Sequence, residues 1–284
     1  MKADRPSRTA EYVAALRGLG VLLPAAGRLV DDPWGAAWTD NERLRRLGES
    51  APRLAGWLSR PAWGWLLYMQ VRTYALDRAV EAFAQGGGKQ LVLLGAGLDA
   101  RALRLRGLGL RVFEVDHPAT QGRKRALVGD AATLVPWDFE RDPLRQLPAR
   151  LAEQGLRIQE RACVVWEGVT MYLSEAAIEE SFAMLQELLC PGSVLAFTYF
   201  ALGASGLPTL DQRLTKRFVA QAGEPWRFGW ETVSLPAWLR QRGFTLQSDD
   251  ATAALGERWL PPDLAKRVKP DQRRIAVAVR GGGT

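Results

Sequence analysis

Between residues 90 and 199 short apolar runs alternate with longer mixed segments at a regular spacing. The runs at 91–94, 111–115, 133–137, 162–166 and 194–199 are bounded by glycine, proline or an acid, and they predict buried strands. The segments between them, 100–105, 118–127, 142–154 and 174–189, carry helix-forming residues, with Ser174 as an N-cap and Glu175 and Glu179 favourable to the dipole. Strands and helices alternating in this way predict a mostly parallel sheet covered on both faces.

Either side of this block the rhythm changes. Ser7 is a candidate N-cap for an amphipathic helix over 10–23, and Pro24 and the run Asp31, Asp32, Pro33 break the chain before a helical piece at 34–38. A longer helix is expected over 61–84, with Pro61 in its first turn and the triplet at 86–88 as its stop. Residues 201–230 read as a helical insert, with a helix over 210–220 and Trp226, Phe228 and Trp230 in a loop. A short helix at 235–242 ends at Gly243, a strand follows at 244–247, and the alternation at 274–280 predicts a closing antiparallel strand. The expectation is one domain: an N-terminal helical cover (1–85), an α/β core (86–200), a helical insert (201–243) and closing strands (244–284).

Composition narrows the class. A chain of 284 residues with 47% hydrophobic and 24% charged residues can bury a sizeable core. The net charge of +7 raises nucleic acid as a partner. The arginines, however, are scattered (43, 45, 46, 101, 104, 106, 157, 161) rather than striped with aromatics, which predicts a solvated basic surface instead. Cys163 and Cys190 read as buried thiols in a reducing compartment, and a single histidine without paired cysteines argues against zinc. The N-terminus has no apolar core for a signal peptide, and the longest apolar stretch, 63–69, is too short to span a bilayer. A soluble, cytoplasmic protein of open oligomeric state is expected.

The chemistry concentrates in residues 90–118. A strand leads into the turn Gly95, Ala96, Gly97; a helix and a second strand follow, ending at Asp116 about 20 residues on. Glycines allow close backbone approach and positive φ, a helix start favours a ligand's negative end, and a strand-end carboxylate suits a ribose diol. A tight turn without ligand is the plain alternative. Three successive strands end in acids, however, at Asp116, Asp138 and Glu167. Asp138, flanked by Trp137 and Phe139, suits an adenine, with its carboxylate on the amine and an apolar neighbour on the ring. Glu167 suits a cationic or ammonium-bearing ligand. A dinucleotide pyrophosphate gains little from so many carboxylates, so the pattern favours S-adenosylmethionine (SAM) over a nicotinamide cofactor.

The words Arg72-Thr73, LGAGLDAR at 94–101, EVDHP at 114–118, PWDF at 136–139, EGVTMYL at 167–173 and PGSVLAF at 191–197 occur in this order. Over residues 7–200 the chain resembles the leucine carboxyl methyltransferase family, including its bacterial branch of polyketide carboxyl and O-methyltransferases. The resemblance implies a Rossmann-like class I methyltransferase fold, with a seven-stranded sheet whose last strand is antiparallel. It further implies SAM as cofactor and S-adenosylhomocysteine (SAH) as its product. By the same resemblance Arg72 holds the methionine carboxylate, Gly95 and Gly97 line the methionine and ribose, and Asp116 takes the ribose hydroxyls. Asp138 and the Phe139 backbone take the adenine, and Glu167 lies beside the amino group. For Arg72 a surface salt bridge to Asp77 or Glu81 is the alternative. Ala100 replaces the family's usual threonine, and Tyr172 packs or faces the transfer pocket. His117 stands beside the ribose acid, which argues against a general-base role.

The expected reaction is O-methylation of a small-molecule carboxylate, or of a hydroxyl, with the N-terminal helices and the insert roofing the acceptor. Methylation of a protein C-terminal carboxylate or of tRNA, and a non-catalytic SAM-binding role, are the competing readings. Nicotinamide-dependent oxidoreduction is a more distant one, because no hydride-transfer pair stands out.

Overall fold

The computed structural model describes residues 8–38, 46, 63–202, 227–268 and 272–282; Ser7, Pro61, the helix expected at 210–220 and Trp226 lie outside them. The strands are β1 (Gln90–Leu94), β2 (Arg111–Asp116), β3 (Thr133–Pro136), β4 (Ala162–Trp166), β5 (Val194–Leu202), β6 (Trp230–Glu231), β7 (Phe244–Ala251) and β8 (Arg273–Arg280). They form one sheet in the order β3-β2-β1-β4-β5-β8-β7, with β6 paired in parallel to the end of β5. The pairings among β1 to β5 are parallel. β8 runs antiparallel to both of its neighbours, β5 and β7. This is the expected class I methyltransferase arrangement, with β6 added.

Alternation along the inner strands divides the core in two. Leu91 and Leu93 of β1 and Cys163 and Val165 of β4 face one layer. Val92, Leu94, Val164 and Trp166 face the other. The first layer is filled by α1 (Arg8–Gly18) and the long α3 (Trp63–Gln85), which lays Leu67, Val71, Leu76 and Val80 on the sheet. Between them in the chain comes α2 (Pro33–Ala37), capped by Asp32, whose carboxylate accepts from the Gly35 amide at 3.0 Å. After β1 comes α4 (Arg101–Arg104), and β2 leads into α5 (Pro118–Val128). The second layer holds α6 (Leu147–Glu153), α7 (Glu175–Leu188) and α8 (Leu235–Gln241). There Phe182 meets the rings of Trp238, Phe244, Trp166, Phe197 and Trp230 at centroid distances of 4.7, 5.7, 6.2, 6.4 and 6.4 Å. Trp230, expected in a loop, is therefore a buried core residue of β6.

Several expectations change. The helix after the glycine turn is a single turn followed by a 3₁₀ piece, so it contributes little dipole at the turn. β7 extends to Ala251, and α9 (Thr252–Trp259) and α10 (Pro262–Ala265) follow it unannounced. They are too short, and α9 too interrupted by Gly256, to give a clear helical period. Cys190 is half-buried rather than buried. Arg101 and Arg104, read as surface residues, are buried in ion pairs. No helix among the described residues is long and apolar enough to cross a membrane.

Candidate functional site

The strand order reverses between β1 and β4, where the chain returns from the β3 edge to pair on the other side of β1. Loops leaving the carboxyl ends of such strands diverge and open a crevice. A cavity of about 430 Å³ lies there, and Arg72, Gly95, Gly97, Asp116, Asp138, Phe139 and Glu167 all line it. Residues from as far apart as positions 72 and 167 are thus brought to one wall.

The turn itself is held by the backbone. Both Gly95 N–H and Ala96 N–H donate to Val115 O, at 2.9 and 3.1 Å. Gly95 and Gly97 have φ of +65° and +47°, a region that favours glycine. A Cβ on Gly95 would lie 2.7 Å from Val169 Cγ2, and one on Gly97 would lie 3.1 Å from Ala10 Cβ. The room expected for a ligand is therefore occupied partly by the loop after β4 and by α1. The glycines let these two segments close over the turn.

Asp116 ties the second strand to that turn. Its Oδ2 accepts from Gly97 N–H at 2.7 Å and its Oδ1 from His117 N–H at 2.7 Å. Burial pushes its pKa up, against these two amides. The Thr120 hydroxyl also bonds to it, and a carboxylate with about four acceptor positions keeps capacity for a ribose diol. His117 is engaged at both ring nitrogens. Nδ1 accepts from Ala119 N–H at 3.2 Å, and Nε2 lies 3.5 Å from Asp138 Oδ2. Asp138 Oδ1 accepts from Glu140 N–H at 3.0 Å. Phe139 is 39% exposed on the cavity wall, whereas Trp137 packs into the core at 7%.

The charged wall is the part that the sequence foretold least. Arg72 does not pair with Asp77 or Glu81; its Nε and Nη2 both lie 2.7 Å from Glu167 Oε1. Glu167 Oε2 accepts from Arg101 Nη2 at 3.0 Å. Arg101 donates through Nε to Asp77 at 2.6 Å, and through Nη1 to Asp99. Asp77 also accepts from Arg104, whose Nη1 reaches Asp32 at 3.3 Å. Arg17 of α1 completes the cluster, donating to Asp32 at 3.0 Å and to Leu98 O at 2.6 Å. Four buried arginines thus balance four buried carboxylates. Burial alone would raise the pKa of Glu167 and Asp99, but the neighbouring arginines outweigh it and hold both below the usual carboxylate range. Breaking such a buried pair by removing one partner typically costs about 3–5 kcal/mol. Arg17 and Asp99 line the cavity and were not singled out from the sequence. For Asp99 the signal was present only in LDAR, a word whose acid had no assigned role, and for Arg17 there was none.

A family model described as leucine carboxyl methyltransferase matches residues 10–186 of this chain. The chain belongs to that family. A Parafrankia sp. (strain EAN1pec) protein, provisionally named an S-adenosyl-L-methionine-dependent methyltransferase, is 31% identical over 200 residues, covering 68% of this chain and 63% of its own length. A Frankia alni protein named in the same way is 34% identical over 189 residues, 61% of this chain and 62% of its own. The match thus spans less than two thirds of these relatives. A Thermobifida fusca YX crystal structure, provisionally described as a methyltransferase, superposes with a TM-score of 0.63 at 20% identity, covering 99% of this chain and 97% of that one. That likeness is one of fold.

SAM is the cofactor of the family, and the wall described above fits its parts. Opposite charges on Arg72 and Glu167 suit an α-amino acid, Asp116 a diol, and Phe139 with Asp138 an adenine. Tyr172 and Leu173 continue the lining from the loop after β4. Arg227, whose N–H donates to Met171 O at 2.7 Å, joins it from the segment before β6.

Proposed function

We propose that this member of the family is a SAM-dependent O-methyltransferase that esterifies a carboxylate of a small secondary-metabolite acid rather than etherifying a hydroxyl. The observation that carries the carboxylate is the state of His117. It is the chain's single histidine, and both of its ring nitrogens are already engaged. A carboxylate acceptor is ionised at neutral pH and needs no base, whereas a hydroxyl acceptor gains from one.

Bound SAM supplies a methyl group activated by its sulfonium. The chain's task is then to bind, aim and exclude water. Arg72 and Glu167 take the amino-acid end, Gly95 and Gly97 the backbone side of the methionine and ribose, Asp116 the diol, and Asp138 and Phe139 the adenine. Tyr172, Leu173 and Arg227 border the side on which an acceptor acid is seated. Orientation of this kind can lower a barrier by about 7–11 kcal/mol in favourable cases. The cytoplasm supplies the cofactor, and a soluble protein acting there on a small acid, without membrane or nucleic acid, is part of the same reading.

Calorimetric titration with SAM, SAH and NAD, on the wild type and on Asp116→Ala, tests the cofactor. Micromolar SAH binding lost in the variant supports the assignment; preference for NAD would remove it. Incubation with methyl-labelled SAM and a panel of aromatic and aliphatic acids and phenols then tests the acceptor. Label released as methanol by mild alkali marks an ester. Alkali-stable label marks an ether and would overturn the carboxylate reading.

A further inference from the structure

Arg72 and Glu167 meet the cavity already bound to each other, yet they are held very differently. Glu167 is anchored from behind. Its Oε2 accepts from Arg101 Nη2 at 3.0 Å, and Arg101 is fixed in turn by Asp77 and Asp99. Arg101 is 0% exposed and does not line the cavity. Arg72 has no such anchor among the described residues. Apart from Glu167 it donates to the Tyr68 hydroxyl at 3.4 Å and lies 5.4 Å from the centre of that ring.

Among the described residues the surrounding cluster is neutral: Arg17, Arg72, Arg101 and Arg104 against Asp32, Asp77, Asp99 and Glu167. A ligand that separates Arg72 from Glu167 and satisfies only one of them leaves a buried charge unpaired, which is strongly unfavourable. A ligand bearing one anion and one cation at neighbouring positions satisfies both. An α-amino acid is such a group.

Resting on the cofactor reading above, we propose that the amino-acid end of SAM enters by exchange of ion pairs. Its carboxylate replaces Glu167 on Arg72, its ammonium replaces Arg72 on Glu167, and Arg101 is the positioning residue that keeps Glu167 in place once Arg72 is released. The net charge of the cluster is the same before and after. Arg101 acts through Glu167 and touches no ligand.

Three thioethers that share the adenosine test the exchange on the wild-type chain by calorimetry. They are SAH, with both charged groups; S-adenosyl-3-thiopropylamine, with the ammonium alone; and 5′-methylthioadenosine, with neither. SAH should bind at least about tenfold more tightly than methylthioadenosine, and the amine no more tightly than methylthioadenosine, because opening the pair for an ammonium strands Arg72. Affinity rising stepwise with each added group overturns the exchange. Failure of all three to bind overturns the cofactor reading and the exchange together.

Arg101→Lys tests the positioning role, since one ammonium cannot span Asp77, Asp99 and Glu167 as the guanidinium fork does. SAH affinity should fall about tenfold or more while methylthioadenosine affinity changes less than about threefold. Equal loss of both ligands, or loss of neither, overturns the role. Should this variant fail to show a cooperative melt, Asp77→Asn, which loosens the Arg101 Nε contact and also lies off the cavity, is held to the same two outcomes.

Discussion

Asp116 accepts a hydrogen bond from the Gly97 amide at 2.7 Å, so the carboxylate assigned to the ribose is also the strap that closes the glycine turn onto β2. Substitution by asparagine leaves one carbonyl oxygen to serve Gly97, His117 and a diol. Asp116→Asn should therefore lose SAH affinity by at least about tenfold and stability by about 1–3 kcal/mol. Titration and chemical denaturation check the two parts separately. Weaker binding at unchanged stability would mean that the strap contributes nothing.

Gly95→Ala combines a left-handed backbone with a Cβ 2.7 Å from Val169. The expected loss exceeds about 1 kcal/mol. Adding Val169→Ala should recover only part of it, because the smaller neighbour relieves the clash and not the φ. Denaturation of the single and double variants measures both.

Phe182 joins five other aromatic rings in the second layer of the core. Phe182→Ala should cost about 3–5 kcal/mol. In the fraction that stays folded, the ratio of SAH to methylthioadenosine affinity should be that of the wild type. A change in that ratio would show that the aromatic core sets the geometry of the Arg72–Glu167 wall.

Glu114 of β2 is fully buried with Lys124 of α5, and burial, only partly offset by Lys124, pushes its pKa up to about 7 from 4.5. Above the unfolded value the native state keeps a proton that the unfolded chain has released. This contribution to stability is complete below pH 4.5 and is lost as pH rises through 7. Relative to the neutral double variant Glu114→Gln/Lys124→Met, the wild type should lose on the order of 2–3 kcal/mol between those limits. Parallel denaturation curves across that range would remove Glu114 as the source.

Cys163 is buried in β4, and burial pushes its thiol up to about 12. Brief alkylation of the native protein should label Cys190, which is half-buried, and spare Cys163 until the chain unfolds. Mass spectrometry of the digested protein reads the ratio.

The alternation of apolar runs was enough to predict the parallel half of the sheet, because inner strands such as 91–94 and 162–166 are apolar on both faces and their glycine and acid boundaries mark where they end. The strand-end acids were legible for the same reason, and all three line the cavity. The partnerships among charges were not. Nothing in the local sequence says that Arg72 meets Glu167 rather than Asp77, since that choice is made by where α3 lies against β4. Arg101 and Arg104 looked like solvent-facing helix residues because a one-turn helix has no period to reveal its inner side. α9 and α10 were missed through the same shortness, and Trp230 read as a loop residue because a two-residue strand has no alternation to show.

β8 is made after β7 yet lies between β7 and β5. During synthesis, then, the edge of β5 over Val194–Phe200 stays unpaired until residues 273–280 have left the ribosome, and β7 has no place in the sheet before them. The first five strands can assemble early around the glycine turn, but the far side of the sheet must wait. Over that interval the nascent chain carries an open parallel edge, the kind of surface that invites pairing with other chains and the attention of chaperones.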